Sequence, residues 1–409
     1  MKPYKLIITS ILIILVSFSC EKTTVKPGPK EIILTLKGKQ LVEADNLFGL
    51  KLFKEVLESE EADKNIMISP LSVSLALAMT YNGADGTTKE AMEKTLELSG
   101  LTVDEINENY KYLIDALVSV DPKVLMSIAN SIWYKHTFQV EQDFINANQN
   151  YYYAEVTPLD FCSPDAVNTI NNWVADKTNN KITEILDYIP SDAVMYLINA
   201  IYFKGIWKFE FEKSETEEAP FYLSDGTTKD VPMMVQEASF NYLSNDILQA
   251  LEMPYGTGNY SMILLLPKND KTLSDITEQL TNENWNRWLS EFHEEVKVQI
   301  HLPKFKFEYK NKLNDELINM GMGIAFGNAD FSKINPNGGL FISRVLHKTF
   351  IEVNEEGTEA AAVTLVELRE TSVGGETFIV NKPFVFVIKE KYTNSIIFIG
   401  KVMEPVYED

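Results

Sequence analysis

The sequence predicts an α+β protein built as one large domain. Three observations lead there. Strand-like runs rich in β-branched and aromatic residues, such as Val124 to Tyr134, Tyr196 to Phe203 and Ile396 to Val402, are interleaved with amphipathic helical runs such as Leu41 to Glu58. From about Leu41 to Val406 no Pro/Gly/Ser-rich linker, internal repeat or low-complexity block interrupts them. With 45% hydrophobic and 11% aromatic residues, the 409-residue chain has enough apolar surface for a sizeable core.

Met1 to Ser19 stand apart from that domain. Lys2 and Lys5 form a short positive end, and Leu6 to Phe18 is almost wholly apolar yet short for a membrane span, which suits a signal peptide. Val16-Ser17-Phe18-Ser19-Cys20 is similar to a bacterial lipoprotein cleavage box, which would make Cys20 the lipidated first residue. Ser17 departs from the aliphatic residue that pattern prefers, so an ordinary secretory signal is the alternative. The expected location is secreted or cell-envelope, at the outer membrane or cell surface. A lipid on Cys20 would be the sole membrane contact. Residues 20 to 40, with Pro27-Gly28-Pro29, read as a tether, and residues 407 to 409 as a short tail.

Charge excludes one class of function. Thirty-seven basic against 59 acidic residues give a net −22, and no Lys/Arg cluster offsets it, so binding nucleic acid by phosphate neutralisation is not expected. The excess is read as solubility. Two cysteines, Cys20 and Cys162, rule out a disulfide framework.

Along the domain, Leu47, Phe48, Leu52, Phe53, Val56 and Leu57 fall on one helical stripe. Ser69-Pro70 then predicts a second helix through Tyr81, with Ser69 as cap and Pro70 in the first turn. A third is expected over Thr87 to Leu98. Val124 to Tyr134 reads as a buried strand, Ala166 to Leu186 as a helix with its continuation, and Tyr196 to Phe203 as a strand. Further strands are expected at Leu248–Met253, Met262–Leu266, Val296–Phe307 and Phe350–Asn354, with short helices near Leu273–Leu280 and Lys312–Met320. Phe378 to Ile388 and Ile396 to Val402 close the chain as a buried hairpin.

Familiar chemistry is scarce. The four histidines, His136, His293, His301 and His347, lack zinc-ligand spacing, and no Gly-x-Ser-x-Gly elbow or Walker loop occurs, so neither metal nor cofactor is expected. Ser69, Ser72, Asn199 and His347 are the tempting set, because serine with histidine suggests acyl transfer.

The most informative stretch is Glu355 to Ser372. Taken alone, Thr358-Glu359-Ala360-Ala361-Ala362 reads as a helix start. At period two it reads otherwise: Thr358, Ala360, Ala362, Thr364, Val366 and Leu368 are uncharged, whereas Glu359, Glu367 and Arg369 fall in the alternate set. The segment therefore suits either an exposed loop or a half-buried strand from Thr358 to Leu368. Gly357 stands where such a segment would swing.

Here the sequence resembles the serpin family. Glu355-Glu356-Gly357-Thr358-Glu359-Ala360-Ala361-Ala362 looks like the hinge of its inhibitory members. The block from Asn65 to Met92, Asn199 to Phe211, Phe378 to Phe386, and Phe398 to Val402 with Pro405 match other family segments in the family's order. The resemblance implies a serpin fold: a large central, mostly antiparallel sheet, further sheets, eight to nine helices, and an exposed reactive loop over about 356–376. It implies a suicide inhibitor and not an enzyme. A protease cuts the loop, forms an acyl-enzyme, and is trapped as the freed segment inserts into the sheet. Ser69, Ser72, Asn199 and His347 would then be a hydrogen-bonded latch beneath the sheet, and Trp207 would mark the point of loop entry.

Counting from the hinge puts the scissile bond at Thr371-Ser372, and counting back from Pro383 puts it at Ser372-Val373. Arg369 would suit a trypsin-like protease, Glu370 a glutamate-tolerant one, and Thr371 an elastase-like or cysteine protease. Serine proteases, with cysteine proteases as a further class, are thus the expected partners of a monomer. The Thr87–Leu98 segment offers only Lys89 and Lys94 among three glutamates, which argues against heparin activation. The alternatives are a non-inhibitory serpin that serves as a binding protein, and a hydrolase using Ser69 and His347.

Overall fold

Thr35 starts the first helix, its hydroxyl accepting from Gly38 N, and α1 (Leu36–Ser59) buries Leu41, Phe48, Leu52, Phe53 and Val56. The structure is a computed structural model that describes residues 28–268, 270–358 and 376–407. β1 (Ile66–Ile68) leads to Ser69, whose side chain caps α2 (Pro70–Tyr81) with Pro70 in its first turn. Buried on nearly all sides, α2 is the central helix. Next come α3 (Gly86–Thr95), α4 (Val103–Ser119), β2 (Val124–Lys135), α5 (Gln142–Tyr152), β3 (Glu155–Leu159), α6 (Ala166–Lys177) and β4 (Met195–Ile206). The chain continues through β5 (Glu217–Tyr222), β6 (Thr228–Ser244), β7 (Leu248–Tyr255), β8 (Tyr260–Pro267), α7 (Leu273–Gln279) and α8 (Asn282–Glu291). It then forms β9 (His293–Pro303), β10 (Phe305–Lys312), α9 (Asn314–Leu317), β11 (Leu346–Val353), β12 (Gly357–Thr358), β13 (Thr377–Ile379), β14 (Phe384–Glu390) and β15 (Ile396–Val402).

Two sheets result. One runs β10-β11-β12-β4-β2-β3, with only β2 and β3 parallel. The other runs β1-β15-β14-β8-β7-β6-β9-β13, with β5 on β6. Its central members β8, β14 and β15 are buried at every position, as continuous apolar runs require. The main core lies between this sheet, the six-stranded sheet and α1–α2. A second cluster, including Ile170, Val174 and Leu186, lies under α6 on the opposite face of the six-stranded sheet.

Five boundaries differ from expectation, each for a physical reason. The expected tether ends early: Lys30 N–H donates to Asn259 Oδ1 at 2.8 Å, Asn259 Nδ2 donates to Lys30 O at 2.7 Å, Ile32 is buried, and α1 begins at Leu36. Val296–Phe307 is two strands, because Pro303 ends β9 and the chain crosses at Lys304 to the other sheet as β10. The helix from Ala166 stops at Lys177. Asn179 and Asn180 take left-handed backbone angles (φ 51° and 60°), and Asn171 Oδ1 accepts from Ile185 N and Leu186 N, so the continuation folds back irregularly. Lys312–Met320 holds only α9 before a wide turn at Ile318–Met322, where Gly321 has φ +111°. Pro383 separates β13, which pairs in parallel with β9, from the β14–β15 hairpin.

Candidate functional site

After Val353 the chain reverses in a tight turn. Asn354 N–H donates to Gly357 O at 3.0 Å, Gly357 N–H to Asn354 O at 3.2 Å, and Glu356 N–H to Asn354 Oδ1 at 3.0 Å. The turn feeds β12 between β11 and β4, with Thr358 opposite Val353 on one side and Gly205 on the other. Only glycine fits at 357. A Cβ there would lie 2.1 Å from Gly205 O and 2.7 Å from Ile206 Cα, at a φ of +152°.

The two residues before that glycine are fastened to β4 and its extension. Trp207 N–H donates to Glu356 O at 2.8 Å, Phe211 N–H to Glu355 O at 3.0 Å, and the Trp207 indole N–H to Asn354 O at 3.0 Å. Trp207 also stacks on Tyr255, with ring centres 4.3 Å apart and planes 12° from parallel. The Tyr255 hydroxyl pairs with Thr358 Oγ1 at 2.6 Å inside the core. Glu355 is 5% exposed, accepts from Thr216 Oγ1 at 2.9 Å, and faces Lys304 Nζ at 3.2 Å. Burial pushes its carboxyl up, but its own backbone N–H, Thr216 and Lys304 together outweigh that and hold it below the usual range. Glu356 pairs with Lys213 at 2.6 Å near solvent, which raises the Lys213 ammonium.

Below Thr358 the arrangement changes. β4 and β11 run parallel on either side of β12, and among the described residues no ladder joins them. Cavities follow one another along this seam instead. The uppermost, about 20 Å³, lies under Thr358 between Ile201, Phe203 and Ile351. A second of about 20 Å³ touches Ser69, Ser72, Asn199 and His347. The lowest, about 240 Å³, extends past Met195, Leu197 and Leu346 to the loop before β11.

The four latch residues thus share one cavity, but they do not form the fully bonded set expected of them. Ser69 N–H donates to His347 Nε2 at 3.0 Å, Ser69 Oγ donates to Ile397 O at 2.7 Å, and Ser72 N–H donates to Ser69 Oγ at 3.3 Å. Asn199 turns away to donate to Asn130 Oδ1 at 2.8 Å, and its own buried Oδ1 has no partner. The reason is spacing: Asn199 is on β4 and His347 on β11, across the unpaired seam. Burial pushes the His347 imidazole down to about 4, so it is neutral, with Nε2 occupied by a backbone N–H. The Ser69 proton points to a carbonyl, not to the imidazole. That wiring lacks the serine-to-histidine proton path an acyl-transfer site requires.

The comparisons with known proteins agree with this geometry. Residues 43–405 match the family described as "Serpin (serine protease inhibitor)". The chain belongs to the serpin family. It is 37% identical over 380 residues to leukocyte elastase inhibitor A of Rattus norvegicus, covering 90% of this chain and all of that one. The thermophilic serpin tengpin in its native state superposes with a TM-score of 0.82 at 36% identity, covering 92% of this chain and 97% of that one. Human thyroxine-binding globulin complexed with thyroxine gives the same TM-score at 28% identity, over 91% and 100%.

Glu359, Ala360, Ala361, Ala362, the bond candidates Arg369 to Val373, and Cys20 lie outside the described residues. Sequence reasoning missed Thr216, Tyr255 and Lys304 as parts of the hinge site. Lys304 carried a partial signal, since it continues the inward alternation of Val298, Ile300 and Leu302, and a lysine on a buried face needs an acid partner. Tyr255 and Thr216 gave none, because each looks like an ordinary strand or loop residue until the fold brings it to residue 355 or 358.

Proposed function

We propose that this serpin inhibits serine proteases, and cysteine proteases as a further class, as a suicide substrate. The observation that carries the reading is the two-residue strand Gly357–Thr358, already seated between β4 and β11 with an unpaired seam below it. Continued by two places at a time, its register would set Ala360 opposite Phe203 and Ile351, Ala362 opposite Ile201 and Thr349, and Thr364 opposite Asn199 and His347 after insertion. Thr358 points to the core, so Ala360, Ala362, Thr364, Val366 and Leu368 would follow it inward. Small side chains come first, where the upper cavity is tight, and larger ones reach the roomy lower cavity.

In the uncut protein the loop's far end is tied to β13, which pairs with β9 in the other sheet. Cleavage between Arg369 and Val373 would release that tie. Each new ladder bond then contributes about 0.5–1.5 kcal/mol, and burying Val366 or Leu368 about 1.5–3 kcal/mol apiece. Insertion of Thr358 to Leu368 would therefore release on the order of 10 kcal/mol or more. An acyl-enzyme attached to the cut end would be carried along with it.

Thyroxine-binding globulin represents the other reading, a serpin that serves as a carrier. Gly357 and the alanines after Thr358 favour inhibition, since a carrier has no need of an unobstructed strand. We also propose that Cys20 is lipidated and holds the protein at the outer membrane or cell surface. The deciding experiment incubates the protein with trypsin-like, elastase-like and cysteine proteases and runs denaturing gels. A complex that survives boiling in detergent is expected with at least one class, with the released peptide beginning between Glu370 and Val373. Cleavage by every enzyme with no stable complex would leave the carrier reading.

A further inference from the structure

The first described residues carry apolar side chains where a soluble domain has no use for them. Ile33 is 72% exposed and Leu36 is 85% exposed, on either side of the helix cap Thr35. Their segment is pinned to α4: Tyr112 Oη donates to Ile33 O at 2.9 Å, and Thr35 Oγ1 donates to Asn109 Oδ1 at 3.0 Å. Tyr112 is itself 45% exposed beside them. The three side chains are thus held by hydrogen-bonded backbone and helix, and they do not sit on a free tail. Lys30, Lys37, Lys39 and Lys111 lie around them with Glu31, Glu43, Glu105, Glu108 and Asp115, a small acidic excess in a chain of net charge −22.

Reach decides what can cover this patch. From Cys20 to Gly28 the chain spans at most about 28 Å fully extended, whereas a domain of this size is about 50 Å across. The clasp between Lys30 and Asn259 fixes the end of that tether on the domain. A lipid on Cys20 would therefore keep the bilayer on the half of the domain where residues 28–36 emerge and put the opposite face, about 50 Å away, out of reach.

We propose that Ile33, Leu36 and Tyr112 form a membrane-docking face that rests in the interfacial layer of the bilayer and orients the anchored inhibitor. Two aliphatic side chains with a tyrosine at their margin suit the boundary between headgroups and acyl chains. Electrostatic attraction is not needed, because the lipid anchor supplies the affinity and the patch only selects the face. The proposal rests on the lipidation reading.

The test uses the full chain with Cys162→Ser, reconstituted in vesicles of phosphatidylethanolamine and phosphatidylglycerol. Leu36→Cys is compared with Tyr188→Cys, an exposed position on the α6 side of the sheet. Reaction with a membrane-impermeant maleimide should slow about tenfold at position 36, relative to the same variant made lipid-free by Cys20→Ser, and stay unchanged at position 188. Equal rates at position 36, with the lipid on Cys20 verified by mass spectrometry, would overturn the docking face and leave lipidation standing. A mature protein without the lipid would overturn both. Ile33→Cys repeats the measurement should Leu36→Cys fail to fold.

Discussion

The top and the middle of the β4–β11 seam are built from similar strands but finished in opposite ways. At the top no buried side-chain polar atom of the described residues is left without a partner. Glu355, Glu356, Gly357 and Thr358 are held by Trp207, Phe211, Lys304, Lys213 and Tyr255. At the middle Asn199 Oδ1 is buried without a partner, and His347 does not reach across to it. A buried unmet acceptor costs roughly 1–3 kcal/mol. The contrast teaches where this protein leaves its structure unfinished: the turn at the top is tied on both sides, and in the middle Asn199 and His347 are not joined.

The largest expected effect breaks the entrance. Thr358 is 4% exposed and lines the upper cavity. Thr358→Arg would put a guanidinium there with no acid to receive it. Protease complexes should disappear while cleavage continues, turning the inhibitor into a substrate. Undiminished complex on a denaturing gel would show that insertion is not the engine.

The middle should be the more acid-sensitive of the two. His347 is held near 4 against an ordinary 6.5, so the unfolded chain takes up the proton first as pH falls. Its contribution to stability is present above about pH 6.5 and is lost progressively toward pH 4, by about 3 kcal/mol. Asp45 acts in the other direction. Burial pushes its carboxyl up to about 7, so the folded state keeps a proton the unfolded chain has released, and stability rises as pH falls from 7 toward 4. The two offset each other in the wild type. His347→Gln removes one of them, so its thermal midpoint should hold or rise between pH 7 and pH 4.5 relative to wild type. Parallel pH profiles would refute the assignment.

Glu355→Gln sharpens the comparison further. It leaves Lys304 without its acid and weakens the bond from Thr216, at an expected cost of about 1–3 kcal/mol. The wild-type contribution should vanish as pH falls through the depressed Glu355 pKa, below the ordinary carboxylate range. Urea denaturation over a pH series falling from 7 would register it, and a difference between variant and wild type that does not shrink as the pH falls would count against the ion pair. The smallest effect belongs to Tyr255→Phe, which removes one buried hydroxyl pair and should cost about 1 kcal/mol. Stacking on Trp207 is kept in that variant, so tryptophan fluorescence should change little.

Legibility in the sequence followed the range of the interactions. The helix at Ser69-Pro70 and the strand from Val124 were readable because cap chemistry and apolar alternation are local. α4 was equally local and still missed, although Thr102 and Glu105 spell a capping box. The strand expected across Pro303 failed because the chain changes sheets there, and no local pattern records which sheet a strand will join.

For the site, the sequence by itself determined the glycine at 357 and the small residues that alternate after it. Those are properties of side-chain size and period, which travel with the chain. Only the tertiary structure decided that Lys304 neutralises Glu355, that Tyr255 holds Thr358, and that Asn199 and His347, on strands no described ladder joins at that level, do not bond. Each of those pairs residues far apart in sequence, and which partners meet is set by how two sheets and a central helix pack, not by any one segment's preference.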